Sequence, residues 1–298
     1  MKFRGVLPAI TTEFRPDGAI DHAFVREHVA WQVESGATGI IPCGSLGEGA
    51  TLDTTEKVAL MESCVAAAGD VPVAPGIAAL STRSGVHLVR EAARVGCRGL
   101  MVLPPYVHKG PWSEMEAHFD ALISATDLPC MLYNNPPAYG VDAKPDAIAR
   151  LAERHANLVA VKESSGDARR VTAVRALCGE RLDLCVGLDD MALEGAAAGA
   201  RGWVAGLVNA LPRESVALFE AALAGRADEA RALYEWFLPL LRLDTVPEFV
   251  QWIKLVQVEV GRGSERVRPP RAPIEGPERE CTLTMIRERL AARPEVTA

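Results

Sequence analysis

The chain has 298 residues, of which 49% are hydrophobic and 24% charged, with a formal net charge of −7. This composition supports a large buried core and excludes a disordered chain, a collagen-like fibre and a coiled coil. The acidic balance, with no basic run longer than the Arg169-Arg170 pair, argues against a nucleic-acid partner.

Apolar runs rich in Val, Ile and Leu recur along the chain. They cover residues 5–11, 39–44, 71–77, 99–104, 128–133, 158–162, 182–187 and 202–207. Their starts are spaced by roughly 20–34 residues, the length of one strand–helix unit. The runs are continuous rather than alternating, as expected of parallel strands covered on both faces. Segments with helical periodicity separate them. Asp53 and Glu56 open one over 57–67, and Ser81 opens another that stops at Gly96. Residues 146–154 and 167–178 behave alike, the latter stopping at Gly179.

Eight such units predict an α/β fold, a (β/α)8 TIM barrel over residues 1–224. A helical C-terminal region over 225–298 follows, with helices at 228–243, 247–260 and 277–292. A loop rich in Gly, Pro and Arg covers 261–277. A doubly wound open sheet is the rival, but no GxGxxG follows the first run.

The seven cysteines are odd in number, scattered and without a CxxC pair. A disulfide framework is not expected, and the cytoplasm is the expected compartment. The six histidines do not cluster at metal-ligand spacing, so no metal and no other cofactor is expected. No apolar run is long enough to span a membrane, so no membrane partner is expected either.

In barrels of this class the chemistry sits at the C-terminal strand ends. Lys162 ends the apolar run 158–161, where burial disfavours its ammonium form. A lysine with a depressed pKa is a nucleophile toward carbonyls. The competing reading is a strand-end lysine that pairs with Glu163 or an aspartate. Tyr133 ends the preceding run, beside Lys162 in a barrel, and suits proton relay or plain packing. The loop 44–49 holds three glycines, and its backbone N–H groups make an anion nest or a tight turn, with Ser45 adding a hydroxyl. Cys43 and Trp203 read as core packing, His118 as a surface or interface residue, and Asp189-Asp190 as a helix cap. Lys254 falls at helical period and reads as solvent-facing or partly stacked.

Three stretches resemble motifs of the dihydrodipicolinate synthase / N-acetylneuraminate lyase family. They are Gly44-Ser45-Leu46-Gly47-Glu48, Tyr133-Asn134-Asn135-Pro136 and Lys162-Glu163-Ser164-Ser165-Gly166. The opening Gly5-Val6-Leu7-Pro8 is also similar, so the resemblance covers nearly the whole chain. It implies a Schiff-base enzyme without cofactor, assembled as a homotetramer, a dimer of dimers. Lys162 would form the imine with a 2-oxo acid, Tyr133 would shuttle protons, and Ser45 would relay them. The N–H groups of Ser45 and Leu46 would hold the substrate carboxylate. Gly187, Val204 and Tyr139 are expected to line the pocket.

The departures from the family motifs narrow the reaction. Leu46 replaces a threonine, Val107 replaces a second tyrosine, and Ala138 replaces the arginine of the synthases. Without that guanidinium a second carboxylate lacks its bidentate partner. The stretch 133–139 resembles the branch of 1-pyrroline-4-hydroxy-2-carboxylate deaminases, which gives the expected function: ring opening and loss of water and ammonia to 2-oxoglutarate semialdehyde. The alternatives are a 2-keto-3-deoxy sugar acid aldolase or dehydratase, 4-hydroxy-tetrahydrodipicolinate synthase, and a non-catalytic small-molecule-binding regulator.

Overall fold

The computed structural model describes residues 1–105 and 107–296. Among these, seven parallel strands form one curled sheet. They are β1 (Gly5–Pro8), β2 (Gly76–Ile77), β3 (Leu100–Val102), β4 (Cys130–Asn134), β5 (Leu158–Glu163), β6 (Asp183–Val186) and β7 (Gly202–Ala205). Their order is β1-β7-β6-β5-β4-β3-β2. Helices in the connections cover the outer face, as parallel crossovers require.

Seven regular strands stand where eight were expected. The run 39–44 forms only isolated bridges, Ala9 to Ile41 and Ile40 to Val73. Pro42 has no N–H to give a ladder, and Cys43 adopts a left-handed φ of 61° that turns the chain away. The segment still joins the two edges of the sheet. The N–H groups of Thr38 and Ile41 donate to Val6 and Pro8, and that of Ile40 donates to Pro72. The run 71–77 shrinks to β2 because Pro72 and Pro75 withhold two donors.

The helix signals in the sequence hold to within a few residues. Asp53 and Glu56 form a capping box on the helix Thr54–Ala68, and Ser81 caps Thr82–Arg94. The C-terminal region supplies Ala227–Leu241, Phe249–Glu259 and Pro277–Ala291. These helices are not separately packed. One buried cluster runs from Phe3 to Ile286 and includes Leu240, Ile253 and Leu283. No helix among the described residues is long and apolar enough to cross a membrane.

Lys254 departs from its expectation, because it is fully buried. Its Nζ donates to Glu48 Oε1 at 2.9 Å and to the Thr12 carbonyl at 2.8 Å, and also to the Arg266 carbonyl. It lies 4.9 Å from the Phe14 ring centroid. Glu48, also fully buried, accepts a second hydrogen bond from the Arg268 N–H at 2.9 Å. The helical spacing of Lys254 was visible in the sequence, but its partner lies 206 positions away.

A double-mutant cycle tests this pair. Lys254→Met or Glu48→Gln alone should cost about 3–5 kcal/mol, because each strands a buried charge or donor. The double variant should recover part of that loss in urea unfolding. Fully additive losses would show that the two groups are not coupled.

Candidate active site

β4 and β5 are neighbours, and their register sets Tyr133 opposite Lys162. The Lys162 Nζ lies 4.2 Å from the Tyr133 ring centroid. Lys162 is only 6% exposed. Its neighbour Glu163 points to the other face, where it accepts from Asn134 Nδ2 at 3.0 Å and from the Ser165 N–H at 2.7 Å. The reading in which Glu163 neutralises Lys162 therefore falls. Burial lowers the Lys162 amine to about 8, against the opposing charges of Asp244 and Asp189.

Tyr133 is buried, and burial raises its phenol. A hydrogen bond donated by Asn135 Nδ2 to the phenol oxygen, 3.0 Å long, acts the other way. The same Asn135 side chain accepts from the Ala138 N–H at 3.1 Å and so caps the short helix Pro136–Tyr139. Gly140, at φ 67°, ends that turn in the left-handed region. The turn brings Tyr139 back against Tyr133, edge-on, with ring centroids 5.5 Å apart. The Tyr139 hydroxyl meets Ser45 Oγ. Ser45 was expected to reach Tyr133 itself. Tyr139 instead stands between them, in contact with both.

The loop 44–49 is held in a conformation that side chains resist. Cys43 and Glu48 both have left-handed φ, 61° and 54°. A Cβ on Gly49 would lie 2.1 Å from the Cys43 carbonyl oxygen, so only glycine fits there. No acceptor among the described residues meets the N–H groups of Ser45 and Leu46. Two adjacent free donors at the cavity wall suit one carboxylate.

Ser45, Leu46, Tyr133, Tyr139, Lys162, Gly187 and Val204 line one cavity of about 520 Å³. Gly187 has a steric reason to be glycine: a Cβ there would lie 2.3 Å from Lys162 Cε. Ala138 is on the cavity wall and carries no charge. Two charged residues that sequence reasoning missed also line it, Asp244 and Arg271. Both come from the C-terminal helical region, where no site residue was expected. Nothing in their local pattern marks them.

Other expectations change. Asp189 caps no helix. It is fully buried and accepts from Trp203 Nε1 at 3.0 Å and from the N–H groups of Gly206 and Leu207. His118 is buried rather than on the surface, with Nδ1 2.9 Å from Thr82 Oγ1. Cys43 is a packed core thiol, pushed up to about 12 by burial. Trp203 is fully buried in the core. At the position where the family has its second tyrosine, Val107 is exposed, and the preceding Tyr106 lies outside the described residues.

Comparison with known proteins shows the family. The model of the dihydrodipicolinate synthetase family matches residues 2–288. The chain belongs to that family and is an enzyme of its Schiff-base-forming lyase class. It is 34% identical to a 4-hydroxy-tetrahydrodipicolinate synthase of Geotalea daltonii over 96% of this chain and 98% of that one. A protein of the same name from Pelobacter propionicus is 34% identical over 95% and 97%. Among solved structures, dihydrodipicolinate synthase from Aquifex aeolicus superposes with a TM-score of 0.91 at 27% identity, covering 97% of this chain and 98% of that one. A prophage protein of E. coli K12 from the same family, in complex with pyruvate, gives 0.91 at 25%, covering 97% and 99%. The two sequence relatives and the Aquifex protein carry the synthase name, which was an alternative in the sequence reading, and none of the four carries the deaminase name.

Two outcomes follow from the geometry. Gly187→Ala should fold but displace Lys162 Cε, so imine trapping with pyruvate and borohydride should slow by at least tenfold. Trapping at the wild-type rate would show that the strand tolerates the methyl. The pH dependence follows from the lowered amine. With a pKa of about 8, roughly one amine in ten is neutral at pH 7. The trapping rate should rise about tenfold per pH unit up to near 8 and then level off. A rise that continues to about 10.4, the ordinary lysine value, would remove burial as the tuning device.

Proposed function

We propose that the protein is a Schiff-base lyase acting on 1-pyrroline-4-hydroxy-2-carboxylate, a cyclic imino acid with one carboxylate. The observation that carries this reading is the charge pattern of the cavity. It offers one pair of free N–H donors, at Ser45 and Leu46, for one carboxylate. Its wall carries uncharged Ala138 and the carboxyl of Asp244.

In this reading neutral Lys162 attacks C2 of the ring imine. The C2–N bond breaks, and the ring nitrogen stays on C5 as a primary amine. Loss of a C3 proton gives an enamine, with Tyr133 as the proton shuttle backed by Tyr139 and Ser45. The enamine expels the 4-hydroxyl as water. The new double bond shifts toward C5, and two hydrolyses release Lys162 and ammonia. Substrate plus one net water thus becomes 2-oxoglutarate semialdehyde plus ammonia. Dehydration or retro-aldol cleavage of a 2-keto-3-deoxy sugar acid uses the same imine and enamine.

The second reading is 4-hydroxy-tetrahydrodipicolinate synthase. The names of the relatives favour it, as does Arg271 on the cavity wall. Arg271 leans toward Glu48, with nitrogen and oxygen 3.9 Å apart.

Parallel assays on the purified chain decide between them. Ammonia release from the hydroxy-pyrroline should exceed condensation of pyruvate with aspartate semialdehyde by about 10²–10³-fold, the worth of one charge-assisted bidentate contact. Lys162→Ala should abolish both, and borohydride should label Lys162 and not Lys254. Condensation on the order of 10 s⁻¹ without ammonia release would establish the synthase reading.

A further inference from the structure

We propose that the Asp244 carboxyl is the acid that protonates the departing 4-hydroxyl of the substrate. This rests on the deaminase reading above and assigns a residue to its hardest proton transfer. Asp244 lies in the turn Arg242–Thr245, far in sequence from the strand ends, yet it lines the same cavity as Lys162 and Tyr133. Its Oδ1 is packed on Gly206, 2.5 Å from where a Cβ would stand, so the glycine makes room for the carboxyl. The Asp189 N–H donates to it.

The two neighbouring aspartates divide the work. Asp189 is saturated by Trp203 Nε1, the Gly206 N–H and the Leu207 N–H. It is a structural anion with no reach into the cavity. Asp244 lines the cavity, and when ionised its charge acts on both Lys162 and Tyr133. Burial and the Asp189 charge raise its pKa well above the ordinary carboxyl value, against the pull of Lys162. A carboxyl whose pKa is raised holds its proton more readily than an ordinary one, which suits it to act as a general acid. Lys162, Asp189 and Asp190 act on it, and Arg271 and Tyr133 line the same cavity.

The step balances. The enamine electron pair at C2=C3 moves to form C3=C4, and the Lys162 nitrogen becomes an iminium. The C4–O bond breaks toward oxygen, which takes the Asp244 proton and leaves as water. The Asp244 carboxylate regains a proton from water before the next turnover. Tyr133 serves the C3 proton, so the two groups act on different atoms.

Asp244→Asn separates this role from the rest of the chemistry. Measured above pH 8, where the Lys162 amine is neutral with or without the Asp244 charge, borohydride trapping with pyruvate and deuterium exchange at the pyruvate methyl should stay within about threefold of wild type. Both need the imine and enamine but no leaving group. Ammonia release from the hydroxy-pyrroline should fall by about 10²–10⁴-fold, the usual worth of a general acid. The trapped adduct should retain the mass of the 4-hydroxyl. Asp244→Glu should recover part of the rate and move the alkaline limb of the pH profile.

Ammonia release by Asp244→Asn within threefold of wild type overturns the proposal. An equal loss of trapping and exchange also overturns it, since Asp244 would then act only on the Lys162 charge. If Asp244→Asn does not fold, an unmoved alkaline limb in Asp244→Glu overturns it. Wild-type protein that forms the imine but releases no ammonia removes the deaminase reading itself, and this role with it.

Discussion

An ammonium-bearing side chain held almost out of water is the constraint to which the cavity answers. Lys162 sits at the end of a buried strand, and desolvation lowers its amine to about 8. Uncompensated, that burial would be costly. The compensation is spread out rather than paired. Asp189 and Asp244 act on it through space, and the Tyr133 ring faces it at 4.2 Å. A direct ion pair would have kept the proton on the nitrogen. Distant charges leave the lysine soluble in its site and still able to lose its proton.

The same logic explains the glycines around it. Gly187 gives the lysine stem its room, and Gly206 gives the Asp244 carboxyl its room. The anion loop is bent through two left-handed residues that are not glycine, Cys43 and Glu48. Strain of that kind persists only where surrounding contacts overdetermine it. Here the contact is the buried Glu48–Lys254 pair, reinforced by the Arg268 N–H. The C-terminal helices therefore do more than cover the sheet. They clamp the loop whose N–H groups at Ser45 and Leu46 are free, and the segments between them bring Asp244 and Arg271 to the cavity.

Tyr139 shows how a short turn changes a site. Residues 136–139 form a single helical turn, capped by Asn135 and stopped by Gly140. Asn135 ties that turn to the Tyr133 phenol with its other side-chain atom. The result is a row of three hydroxyls, Ser45, Tyr139 and Tyr133, within one chain. Each is buried or half-buried, so a proton moving along the row does not have to pass through open solvent.

The strand–helix order, the family and seven of the cavity-lining residues, from Ser45 to Val204, were legible in the sequence. Local patterns carry them: continuous apolar runs, capping residues, and three motifs at strand ends. The missing eighth regular strand was half legible, because Pro42 was in view but the left-handed turn at Cys43 was not. The partners of Lys254, Asp189 and Asp244 were not legible at all. Helical periodicity says which face a residue occupies and nothing about a carboxylate more than two hundred positions away. The sequence by itself determined which strand ends carry a lysine and a tyrosine, because burial of a run depends on its own apolar residues. Only the tertiary structure decided that Asp244 joins them, because a charge is felt through space and the turn that brings it there is set by packing.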